Sequence, residues 1–223
     1  GTSNARVSES LMRDVAVTGM GVVCASGANL AEFRAALAAG TSAIGPIEGF
    51  APGTLRFPNA AQVRGFDPAS HFEGKEINYV DRFAQLGVVA AREAVADAGV
   101  SWTVALREQT AIVTGSALGG KYTEDEGYFH MYAENRPRFD PLAIPKAMMN
   151  AVTSRVSMEF GITGPAWTVS TACSSANHAI GQAFRMVRDG DVEMALAGGA
   201  ESPFTLGVLR AWEAMRVVSS DTC

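Results

Sequence analysis

The feature that most constrains this chain is a repeated alternation in which a short β-rich run gives way, through a turn or loop, to a stretch with helical apolar spacing. Ala111–Thr114 runs into the loop Gly115-Ser-Ala-Leu-Gly-Gly120, after which the acidic run Thr123-Glu-Asp-Glu126 suits a helix N-terminus and Pro145 can open a helix over Lys146–Phe160. Trp167–Ser170 then leads into a helix from about Cys173 to Arg188, and Met194–Ala197 precedes a helix over Leu206–Met215. Strands that alternate with helices pair in parallel and carry the helices on their faces, so the expected class is α/β.

The first half adds less regular material. Val15–Met20 is a short β-rich run ending at glycine, and Asn29 can cap a helix over Leu30–Ala39 that stops at Gly40. Residues 41–78 are rich in Gly, Pro, Asn and Phe without sustained periodicity, which suggests a long surface excursion. Asp81–Ala98 places Phe83, Leu86, Gly87, Ala90, Ala94 and Val95 along one helical face, and Gly99 closes it. No repeat, low-complexity tract or linker divides the chain. It is read as one domain over 14–223, after a tag remnant and leader at 1–13 with a native start near Met12, and its last residues, Val217–Cys223, look like a chain interrupted in a loop.

Composition narrows the function. With 48% of 223 residues hydrophobic, the chain can bury a sizeable core, while 18 basic against 23 acidic residues leave no footprint for a phosphate backbone. Nucleic acid is not expected as a partner. No apolar run approaches the roughly 20 residues of a bilayer span, and no signal peptide opens the chain, so no membrane association and a cytoplasmic location are expected. Cys24, Cys173 and Cys223 are odd in number and lack metal-type spacing, so neither a disulfide framework nor a metal site is expected. A dinucleotide-binding reading of Gly19 and Gly21 fails because the spaced third glycine is absent.

The chemistry is concentrated in Gly164-Pro-Ala-Trp-Thr-Val-Ser-Thr-Ala-Cys-Ser-Ser-Ala-Asn-His178, where a strand turns abruptly into a helix with cysteine at the turn. Unpaired N–H groups and the positive end of a helix dipole favour thiolate over thiol there, and the thiolate is the nucleophile. Ala176, Ala179, Ile180, Ala183, Phe184 and Val187 form an apolar face that would anchor the helix in the core. The alternative for a lone cysteine is a small buried hydrophobe.

Thr171-Ala-Cys-Ser-Ser175 followed by Ala197-Gly-Gly-Ala-Glu-Ser202 resembles the β-ketoacyl-acyl-carrier-protein synthases of the thiolase-like superfamily. Val17-Thr-Gly-Met-Gly-Val22, Gly115–Gly120 and Phe160-Gly-Ile-Thr-Gly-Pro165 extend the resemblance over nearly all of the chain from Asp14, in the order of the family's N-terminal half. The resemblance implies a layered α/β/α thiolase-like fold with a mostly parallel mixed sheet. It implies an elongating enzyme of fatty-acid synthesis, working as a homodimer without cofactor. Cys173 would take an acyl group from acyl carrier protein, and decarboxylation of a malonyl thioester would then supply the carbanion that extends it by two carbons. The family's oxyanion hole uses the nucleophile's own N–H and a second, later amide. Its two decarboxylation histidines belong to the C-terminal half. A polyketide or specialised-pathway ketosynthase, or a non-catalytic chain-length partner, are the alternatives; such partners typically lack the nucleophile.

Four further residues carry over by position. Leu118 and Trp212 match pocket-lining positions, with ordinary core packing as the alternative. Ala143 and Ile144 match a loop that crosses the dimer interface in the family, where alanine replaces a bulky aromatic. His71, His130 and His178 are expected outside the chemistry. His178 lies five helical positions from Cys173, rotated about 140° and raised about 7.5 Å, which suits packing better than a dyad. Glu201 is read as an acceptor for backbone donors, Cys24 as structural and Glu124–Glu126 as a solvated helix start.

Overall fold

A computed structural model describes residues 13–220. Helix α1 (Leu30–Ala39) is capped by the Asn29 side chain, which accepts from the Glu32 N–H, and ends at Gly40 in the left-handed conformation expected of a terminating glycine. The excursion over 41–78 contains two-residue strands β1 (Gly45–Pro46) and β2 (Asn59–Ala60), paired antiparallel, and two short 3-10 turns. Helix α2 (Arg82–Asp97) follows, capped by Asp81, and then α3 (Val104–Glu108), which begins at the Thr103 cap and was not expected.

Three strands form the main sheet: β3 (Thr110–Gly115) at its centre, β4 (Ala166–Val169) on one side and β5 (Met194–Gly199) on the other, all parallel. Between them run α4 (Lys121–Tyr132), α5 (Ala143–Ala147), α6 (Ala151–Phe160) and α7 (Ser175–Arg188), and α8 (Leu206–Met215) comes last. The expected α/β class with parallel pairing is what forms.

Strand β3 reads as a continuous apolar run because both of its faces are covered, and Ala111, Ile112 and Val113 have no solvent exposure. Side chains alternate across a strand, so Ile112 joins Phe83, Val88, Val152 and Val156 from α2 and α6 in one core. Val113 packs with Ala179 and Ala183 of α7 in the other.

Four expectations need correction. Val15–Met20 joins no ladder: Gly19 and Gly21 press so closely on α2 that a Cβ there would lie 2.2 Å from the Ala94 carbonyl oxygen and 2.0 Å from that of Ala90. Carboxylates of α2 hold its end instead, Asp97 accepting from the Met20 N–H and Glu93 from the Val22 N–H just beyond, both at 2.9 Å. The helix expected over Lys146–Phe160 is two helices, α5 and α6, broken where Met148 takes an extended ψ of 137°. Helix α7 starts at Ser175, not at Cys173. Its apolar face is only half used: Ala179 and Ala183 are buried, whereas Ile180 and Phe184 are 51% and 46% exposed, with the Arg188 guanidinium over the Phe184 ring. The leader up to Met12 and Cys223 lie outside the described residues. Among the described residues, no helix is long and apolar enough to cross a membrane.

Candidate active site

The three parallel strands end in register, Gly115 opposite Val169 on one side and opposite Gly199 on the other. Their outgoing loops therefore leave from one rim, and they carry Leu118, Cys173 and Glu201. Crevices beyond the carboxyl ends of parallel strands are where α/β folds bind ligands.

Cys173 sits in the bend between β4 and α7, and its side chain is exposed. The turn is sharp because Ala172 adopts φ 52°, a left-handed conformation that costs an L-residue on the order of 1–2 kcal/mol. Hydrogen bonds hold it there. The Ser175 N–H and Oγ both donate to the Ala172 carbonyl, at 3.1 and 2.6 Å, and Ser175 Oγ accepts from the Thr171 N–H at 2.9 Å. Ser174, at the cap position of α7, turns its hydroxyl back onto Thr171 and makes no cap bond. The first-turn amides of Ala176 and Asn177 thus have neither an intrahelical acceptor nor a side-chain cap, and the positive end of the helix faces the bend. From this strain follows a prediction: Ala172→Val, with a branched Cβ at positive φ, lowers stability by about 2 kcal/mol in thermal melts, whereas Ala172→Gly stays within about 0.5 kcal/mol of the parent.

The elbow is braced from beneath. Gly115 meets the first turn of α7 so closely that a Cβ would lie 2.4–2.6 Å from backbone atoms of Ser175 and Ala176. Below the rim, the hydroxyls of Thr114, Thr153 and Thr168 bond one another at 2.7–3.2 Å, tying β3, α6 and β4 together.

Beside the elbow lies an open groove of about 730 Å³ that reaches Ser170, three residues before Cys173. Leu118, Ile144, Met148, Met149 and Trp167 supply its apolar wall, and the Lys121–Glu124 ion pair lines it as well. The groove thus brings Leu118 and Ile144 together. Ala143 is buried at the start of α5 and does not line it, and Trp212 is part-buried on α8 away from it.

The loop carrying Leu118 is fixed at both ends. Glu201 Oε2 accepts from the Ala117 N–H at 2.7 Å and the Leu118 N–H at 3.1 Å, and the Ser116 hydroxyl donates to the same carboxylate. Downstream, the Gly120 N–H donates to the Ala147 carbonyl, and buried Asp81 accepts from the Thr123 N–H and hydroxyl, both at 2.7 Å. Burial pushes the Asp81 carboxyl above its ordinary range, partly offset by the bonds from Thr123 and Phe83.

The histidines stand apart from the rim chemistry. His71 stacks on Phe66, His130 of α4 lies between Glu126 and Glu134, the latter just past the helix end, and His178 is exposed on α7. Cys24 lines a smaller cavity of about 220 Å³ with Arg82, Tyr122 and Ser202. Glu124 lies in the first turn of α4, where acidic side chains are favoured. Among the described residues no group of three or more metal-ligating side chains is assembled. The sequence reading missed the threonine cluster, Asp81 and the methionines of the groove; the capping position of Asp81 was the only local signal among them.

Comparison with known proteins places the chain among relatives of one family. A family profile described as "Beta-ketoacyl synthase, N-terminal domain" matches residues 12–223. Nodulation protein E from Rhizobium sp. (strain N33) is 36% identical over 211 residues, covering 95% of this chain and 52% of that protein. The 3-oxoacyl-[acyl-carrier-protein] synthase 2 of Coxiella burnetii (strain RSA 493 / Nine Mile phase I) is 32% identical over 208 residues, covering 93% and 50%. Among solved structures, the ishigamide ketosynthase/chain length factor superposes with a TM-score of 0.86 at 27% identity, covering 94% of this chain and 52% of that one. The chain spans about half the length of these relatives.

Proposed function

The chain belongs to the β-ketoacyl synthase family, and from that premise we propose that Cys173 is the acyl-accepting nucleophile of a condensing acyltransferase. The Cys173 sulfur attacks the carbonyl carbon of an acyl-carrier-protein thioester, the carrier's thiol leaves with a proton, and the acyl group is held as a cysteine thioester. Decarboxylation of a malonyl thioester then leaves a carbanion that attacks this carbonyl. A carbon–carbon bond forms, carbon dioxide and the cysteine sulfur are released, and the product is a β-ketoacyl thioester. In the whole protein, elongation in fatty-acid synthesis is the reading supported by the likeness to 3-oxoacyl-[acyl-carrier-protein] synthase 2. The observation that carries the chemistry is an exposed cysteine on a strained strand-to-helix bend beside an apolar groove.

A specialised-pathway ketosynthase is the second reading, favoured by the likeness to nodulation protein E and to the ishigamide ketosynthase/chain length factor. An intact Cys173 argues against a non-catalytic chain-length partner. A homodimer fits the open outer edge of β4, which pairs only with β3 among the described residues and presents the 37% exposed Trp167. Incubation with acyl-carrier-protein thioesters, read by peptide mass, tests the central reading: an acyl adduct on the peptide containing Cys173 supports it, and an unmodified peptide with every donor overturns it.

A further inference from the structure

We propose that Glu201 is a positioning residue for acyl-chain selection, its carboxylate clamping the loop that presents Leu118 to the groove and so setting the length of chain that Cys173 can hold. The inference deepens the acyl-transfer reading and rests on it.

The geometry is specific to this loop. Glu201 lies two residues beyond the end of β5 and reaches across to the loop leaving β3, more than eighty residues earlier in the chain. One carboxylate takes donors from Ser116, Ala117 and Leu118 in succession. The Ser116 hydroxyl in turn accepts from the Gly119 N–H at 3.1 Å, so the bond network closes around Leu118. Downstream residues have separate anchors in Ala147 and Asp81, and the Ser116 N–H donates to the Val169 carbonyl at 3.2 Å, which leaves Glu201 as the acceptor for the Ala117 and Leu118 amides. Upstream, Gly115 is locked between β4, β5 and the first turn of α7. Removing the carboxylate frees two amides and a hydroxyl at the one point where the loop meets the groove. The strand ends stay as they are.

A positioning role changes which chains are accepted, whereas a merely structural role lowers all rates together. The test uses the native full-length protein, loaded with carrier thioesters from butyryl to palmitoyl, with acylation of Cys173 followed by mass. Glu201→Ala is expected to shift the ratio of short-chain to long-chain acylation rates by about tenfold or more, the scale on which pocket shape discriminates added methylenes. Glu201→Gln, whose side-chain oxygen can still accept from both amides, is expected to keep the parent ratio. Hydrogen exchange of the Ala117 and Leu118 amides is expected to accelerate in Glu201→Ala only. Uniform slowing across chain lengths, or an unchanged ratio, would sink the proposal. Should Glu201→Ala fail to fold, Ser116→Ala takes its place, with a smaller shift in the same direction expected and no shift counting against the idea. A parent protein that acylates at no chain length removes the acyl-transfer reading itself, an outcome distinct from normal acylation with an unaltered length profile.

Discussion

If Cys173 is the nucleophile proposed above, Cys173→Ala is expected to eliminate the acyl-enzyme and to reduce condensation by at least about 10⁴-fold, because the step on which every later one depends is then removed. Stability should hardly move. The Cys173 side chain is exposed and belongs to neither core, and substitutions at such positions stay within about 0.5 kcal/mol. Paired measurements of turnover and thermal midpoint check both halves of this expectation. A large loss of turnover with an unchanged midpoint supports the assigned role, while retained turnover would place the chemistry elsewhere on the molecule.

Gly115→Ala carries the largest expected structural effect. The added methyl would sit 2.4–2.6 Å from backbone atoms of Ser175 and Ala176, and backbone on both sides leaves no flexible side chain to give way. Relief requires β3 and α7 to separate at the point where the elbow is held. A loss of about 3 kcal/mol or more follows, the upper range for overpacking a tight interior. For a domain of this size that corresponds to a drop of roughly 6–12 °C in melting temperature. Acylation should fall as well, since the shift displaces Ala172 and Cys173. Gly181→Ala is the control: it lies on the exposed side of α7 with nothing within 4 Å of a new Cβ, and it should stabilise the helix by up to about 1 kcal/mol. Equal melting temperatures for Gly115→Ala and the parent would refute the packing argument.

These two glycines also show what could be read in advance. Strands β3, β4 and β5 were legible because short apolar runs bounded by turn residues leave few alternatives, and helix ends at Gly40 and Gly99 followed from the residue that tolerates positive φ. Cys173 and the Leu118 loop stood out through local motif order. What sequence concealed was everything set by distant packing. Val15–Met20 has strand-like residues, yet the amides of Met20 and of Val22 just beyond it are taken by Asp97 and Glu93 from a helix some seventy residues later. Ile180 and Phe184 look like core positions by periodicity, yet periodicity records a face and not whether anything covers it. The threonine cluster joins residues 114, 153 and 168, and no local pattern announces a bond between them.

The shared ending of the three strands has an evolutionary consequence. Because β3 is sealed on both faces, mutations that reach it are penalised through the whole core, whereas the loops leaving Gly115, Val169 and Gly199 can be rewritten without repacking the sheet. Relatives built on such a scaffold can diverge in what they bind by exchanging a few rim residues, while the platform beneath the rim is kept.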